Sequence, residues 1–260
     1  MYSNTQRATA ETLGTAALVL VGPGSVVATL VLAGKAVPAV TGADLLGISF
    51  AFGFIITALV YAIGKVSGCH INPAVTFALA VTKRLPWKDV PLYWGSQFVG
   101  AVIGSFAIWG VFGQRAIDLG MGQTAYGDVT PMLTAALAEF IGTALLMFAI
   151  LGIVDAKSPG DLAGIVIGGA VVAIIMVLGP ITGASLNPAR AFGPELVSAI
   201  AGGPTHWVQY IPVYLVPGLA GAAAAAFVYD FLANPRIEEY PIKDAVTQPD
   251  PVQTSTASAH

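Results

Sequence analysis

Six apolar runs leave this chain few ways to fold. They lie near 8–33, 44–64, 88–113, 132–154, 162–180 and 207–233. A stretch of about 20 apolar residues crosses a bilayer as a helix, because a backbone in hydrocarbon must satisfy its own polar groups. Two further runs, near 73–82 and 188–200, are too short to cross. Apolar segments of about 10–14 residues are candidates for re-entrant helices. The expected fold class is an all-α membrane protein with six transmembrane helices and two re-entrant half-helices. Composition agrees: 10% of the residues are charged, against about 25% in soluble domains. A net charge of −3 gives no reason to expect a nucleic-acid partner. The first run lacks the pattern of a cleaved signal peptide.

Both short runs open on the same tripeptide, Asn72-Pro73-Ala74 and Asn187-Pro188-Ala189. Asn is a strong N-cap, and Pro is favoured at the first helical position, where a missing N–H costs nothing. Each tripeptide therefore reads as a helix start. The residues just before, Gly68 to Ile71 and Gly183 to Leu186, are then non-helical backbone at membrane depth. Such backbone survives only inside protein or along a water-filled cavity.

The chain also repeats. Ala10-Glu11-Thr12-Leu13-Gly14-Thr15 matches Ala138-Glu139-Phe140-Ile141-Gly142-Thr143, and Ser67 to Ala74 matches Thr182 to Ala189. Each half holds three spans and one half-helix. Three is odd, so the second half enters from the opposite side. Interrupted segments at equivalent places in inverted halves point to a transport site. One pore domain is expected over 1–233, its halves near 7–118 and 130–233, followed by a polar cytoplasmic tail over 234–260.

Basic residues give the orientation. With both termini inside, Arg7, Lys65, Lys83, Arg84, Lys88, Lys157, Arg236 and Lys243 are cytoplasmic, and Lys35 and Arg115 are external. Eight against two follows the positive-inside rule. Glycines crowd the spans, among them Gly53, Gly100, Gly104, Gly168, Gly169 and Gly221, as packing positions that let helices approach. Cys69 is the single cysteine, so there is no internal disulfide and no zinc spacing. No Ser/His/Asp set, HExxH or phosphate loop argues for an enzyme. The rival from another class is an ion-coupled secondary transporter, which also uses inverted repeats and broken helices. In that reading Glu11 and Glu139 are proton-relay groups.

Six spans, inverted halves and paired Asn-Pro-Ala motifs resemble the aquaporin (major intrinsic protein) family from about Arg7 to Leu232. Ser67–Thr76 and Ser185–Pro194 are most similar to its archaeal branch. The resemblance implies a passive channel for water and small uncharged solutes such as glycerol, closed to protons and ions. It implies a multi-pass protein of the cell membrane, a homotetramer with one pore per subunit, and no cofactor or metal. The half-helices then meet at mid-membrane with Asn72 and Asn187 presenting amide donors to the pore. A ring of Phe52, Ile175, Ala184 and Arg190 forms the narrowest part on the outer side. Gly68, Cys69, His70, Gly183 and Ser185 border the pore. Glu11 and Glu139 become buried acceptors for backbone N–H groups of the two pore loops, a role that fits symmetry mates.

An arginine in a span is functional by default; for Arg190 the expected partners are pore water and carbonyls of the loop before Asn187. Phe52 and Ile175 could otherwise be ordinary packing residues, and Cys69 a packed, inert thiol. The ring departs from strict water channels of the family, which carry His at the Ile175 position and often Cys or Thr at Ala184. It departs from glycerol channels, which have Trp and small or aromatic partners there and Asp where this chain has Ala191. A constriction of intermediate width is expected.

Overall fold

The structure, a computed structural model, describes residues 2–34 and 40–233. Lys35, Arg236, Lys243 and the tail expected over 234–260 lie outside the described residues. The elements in chain order are α1 (Asn4–Ala33), α2 (Gly42–Ser67), α3 (Pro73–Val81), α4 (Val90–Phe112), α5 (Gln114–Asp118), α6 (Met132–Val154), α7 (Ala163–Thr182), α8 (Pro188–Ile200), α9 (Trp207–Gln209) and α10 (Val216–Ala233). A π-helical stretch, Tyr210–Leu215, joins the last two. Among the described residues, six helical segments are long and apolar enough to cross a membrane. The short runs form the half-helices α3 and α8.

The ends follow local chemistry. Ser3 and Thr41 close capping boxes at the starts of α1 and α2, each satisfying orphan N–H groups. Helix α2 stops at Gly68 and α7 at Gly183, both left-handed, with φ 88° and 77°. Glycine takes that conformation without a Cβ penalty.

Packing carries the inverted repeat into three dimensions. Helix α1 lies on α4 as α6 lies on α10, and α2 against α7 joins the halves. Each half-helix is inserted into the other half, α3 against α10 and α8 against α4. The α2–α7 seam is close because Gly53 and Gly168 meet there; a Cβ on Gly168 would stand 2.4 Å from the Gly53 oxygen. Gly169 differs from the sequence expectation, since a Cβ there would meet nothing within 4 Å.

Candidate functional site

Each half builds its loop in the same way. Buried Glu11 accepts from the Ser67 hydroxyl (2.6 Å), His70 N (2.9 Å) and Ile71 N (2.7 Å). Buried Glu139 accepts from the Thr182 hydroxyl (2.6 Å), Ser185 N (2.8 Å) and Leu186 N (2.8 Å). Tyr93 donates its hydroxyl to Ser67 O and Tyr214 to Thr182 O. These bonds hold a strained path. Cys69 and Ile71 sit at φ 51° and 42°, and Ala184 and Leu186 at 41° and 55°. Non-glycine residues rarely take such angles, and they persist where surroundings over-determine them.

The Asn side chains then tie the halves together. Asn72 Oδ1 accepts from Ala74 N at 2.8 Å, and Asn187 Oδ1 from Ala189 N at 3.0 Å and Arg190 N at 3.3 Å. One N–H of each amide crosses to the other loop: Asn72 Nδ2 donates to Leu186 O (2.7 Å) and Asn187 Nδ2 to Ile71 O (2.8 Å). A carboxamide carries two donors, so one N–H of each remains.

One half carries an addition. Gln97 Nε2 donates to Glu11 (2.8 Å) and to Thr76 Oγ1 (3.0 Å), and Thr76 pairs with His70 Nδ1 (3.1 Å). The sequence reading did not single out Gln97. Its signal was an amide in an otherwise apolar span, which needs buried partners.

A cavity of about 540 Å³ follows these loops. Asn72, Asn187, Gly68, Cys69, His70 and Ser185 are on its wall. So are Phe52, Ile175, Ala184 and Arg190, brought from α2, α7, the second loop and α8. Gly183 is not; it faces Thr124, which a Cβ would meet at 3.2 Å. Pro73, Ala74, Pro188 and Ala189 are also off the wall and serve as the buried first residues of α3 and α8. Toward the other end the cavity reaches Tyr61, Lys65 and Gly160. Among the described wall residues, the full charges belong to Lys65 and Arg190, both positive.

Arg190 is 2% exposed and its Cζ lies 5.2 Å from the centroid of the Phe52 ring. Phe52 has room because Gly22 is glycine; a Cβ there would stand 2.3 Å from the ring. The guanidinium donates from Nη1 to Gly122 O at 3.0 Å. This corrects the expected acceptor. The carbonyl belongs to the connection between α5 and α6, not to the loop before Asn187.

Six spans and two half-helices meeting nose to nose beside one cavity define a membrane channel. The model of the family described as "Major intrinsic protein" matches residues 1–229, and the chain belongs to that family, the aquaporins. It is 44% identical over 246 residues to "Aquaporin AqpM" of Methanothermobacter marburgensis, covering 90% of this chain and 100% of the relative. It is 42% identical over 241 residues to "Probable aquaporin AqpM" of Archaeoglobus fulgidus, covering 88% and 97%. The X-ray structure of the aquaglyceroporin from Plasmodium falciparum superposes with a TM-score of 0.77 at 26% identity, covering 90% of this chain and 98% of that one.

Proposed function

We propose that residues 1–233 form one passive pore for water and small uncharged solutes such as glycerol, and that it excludes protons and ions. The observation that carries this reading is the pair of half-helix N-termini converging on the cavity wall. Each end bears roughly half a positive charge. For a cation ~6 Å away at an effective dielectric of ~20, one end costs about 1.4 kcal/mol and two cost roughly 3 kcal/mol. Stripping the cation of water adds several kcal/mol. Lys65 and Arg190 add repulsion of the same sign. A neutral solute meets neither barrier and finds amide donors on Asn72 and Asn187.

Transport is tested in proteoliposomes by following water and glycerol swelling side by side, with and without a proton or Na⁺ gradient. Flux should track the solute gradient and ignore the ion gradient. Accumulation of glycerol against its own gradient would replace the pore with a coupled transporter.

Phe52, Ile175, Ala184 and Arg190 are proposed as the constriction. Their apolar majority beside one cationic donor supports passage of a solute with a polar edge and an apolar edge. Ile175→His is expected to lower glycerol flux more than water flux, because imidazole adds a polar group to the apolar side of the ring. Equal loss of both in the same vesicles would remove position 175 from the constriction.

Cys69 is proposed as a wall thiol of the inner vestibule. Mercurials should slow water flux in the native chain and leave Cys69→Ser unaffected. A native chain indifferent to mercurials would mean a packed thiol.

The cell membrane, cytoplasmic termini and a homotetramer are proposed alongside. Lys65, Lys83, Arg84, Lys88 and Lys157 support the orientation by the positive-inside rule. Likeness to the family supports the tetramer, and the mass of the detergent-solubilised protein tests it.

A further inference from the structure

The segment that carries Gly122 O is a strap between α1 and the Arg190 side chain on the cavity wall. Gly120, Met121 and Gly122 are all left-handed, with φ 78°, 56° and 66°. Met121 is fully buried. Gly122 must be glycine, since a Cβ would stand 2.3 Å from Pro23 O of α1. From the next residue, Gln123 Nε2 donates to Pro204 O at 3.0 Å, and Gln123 Oε1 lies 3.0 Å from His206 Nδ1. A backbone carbonyl only accepts, so the NH₂ of Gln123 faces Pro204. Its oxygen then faces His206, and Nδ1 must be the protonated nitrogen of that ring. Burial lowers the His206 pKa from its usual range, which favours the neutral ring. The His206 backbone N–H donates to Glu195, a carboxylate only 4% exposed. Glu195 stands on α8, the helix that also carries Arg190.

The contacts form a closed circuit from Arg190 to Gly122, along the chain to Gln123, across to His206, and through Glu195 back to α8. We propose that Glu195, His206 and Gln123 are positioning residues for the constriction: they clamp the strap so that Gly122 O holds the Arg190 guanidinium against the wall, beside Phe52. This rests on Arg190 belonging to the constriction, as proposed above. An unclamped strap lets the long side chain swing into the passage, where it obstructs glycerol more than water.

The test is the glycerol-to-water permeability ratio of the full chain in phosphatidylcholine/phosphatidylglycerol vesicles, both fluxes read from one preparation. With the fluxes of protein-free vesicles subtracted, loss of folded protein lowers both fluxes and leaves the ratio alone. Gln123→Ala is the variant that should fold, since Pro204 O keeps the Ser198 hydroxyl as donor at 2.7 Å and the His206 side chain is 37% exposed to solvent. Gln123→Ala and Glu195→Ala should each lower the ratio by roughly threefold, the scale of one lost hydrogen bond. Glu195→Gln, which keeps an oxygen for His206 N–H, should restore the native ratio. Arg190→Val should raise it. An unchanged or raised ratio in Gln123→Ala, with Arg190→Val raised, overturns the clamp and leaves the constriction standing. Glu195→Gln behaving as Glu195→Ala also overturns it. A ratio that Arg190→Val does not move overturns clamp and constriction together.

Discussion

Arg190→Val is expected to admit cations and larger solutes, the largest functional change of any single substitution here. Arg190 is buried beside the Phe52 ring and anchored to Gly122 O. Valine removes both side-chain bulk from the proposed ring and its full positive charge. A unit charge ~6 Å from a passing cation at an effective dielectric of ~20 is worth about 2.8 kcal/mol, which corresponds to about a hundredfold in rate. The half-helix ends and the dehydration cost remain, so the leak should be partial. Vesicle acidification under a potassium diffusion potential measures it, with glycerol and larger polyols read by light scattering. Native exclusion of both ions and larger polyols would take Arg190 out of the constriction.

Glu11→Ala is expected to have the largest effect on stability. Glu11 accepts from Ser67, His70, Ile71 and Gln97. Alanine leaves these donors buried among apolar residues without an acceptor. Each orphaned donor costs about 1–3 kcal/mol, and four of them lose their acceptor together. Folded proteins have about 5–15 kcal/mol in all, so little folded protein should be recovered. Glu139→Ala should be milder, because Glu139 accepts from Thr182, Ser185 and Leu186 and has no counterpart of Gln97. Thermal unfolding of the purified chain in detergent, with the yield of monodisperse protein, gives the ranking. A Glu11→Ala protein melting with the native one would show that the carboxylate does not hold the loop.

Elements whose signal is local were legible early. The run at 132–154 became α6 over the same residues, and Asn-Pro-Ala gave the starts of α3 and α8. The matching of Glu11 with Glu139 led to two carboxylates that hold two loops through the same bonds. Less legible were residues whose partners come from unrelated stretches. Arg190 was visible as a charge out of place, but its acceptor is a glycine carbonyl 68 residues away, and a carbonyl leaves no mark in a sequence. Glu195 and His206 carry no motif or repeat in the sequence that marks them, and their partners emerge only where the packed chain brings them to Gln123. The resemblance put Gly183 at the border of the pore, yet it packs on Thr124 and is off the wall.

Apolar length, capping residues and the doubled segments are properties of neighbouring residues, so six spans, two half-helices and their inverted order were written in the chain. The crossing of each Asn amide to the opposite loop joins residues 114 and 116 apart, and the Arg190 anchor and its clamp are likewise distant contacts. Those required the helices to be packed, because a hydrogen bond is decided by where donors and acceptors end up to within a fraction of an ångström, and side-chain order along a chain does not carry that information.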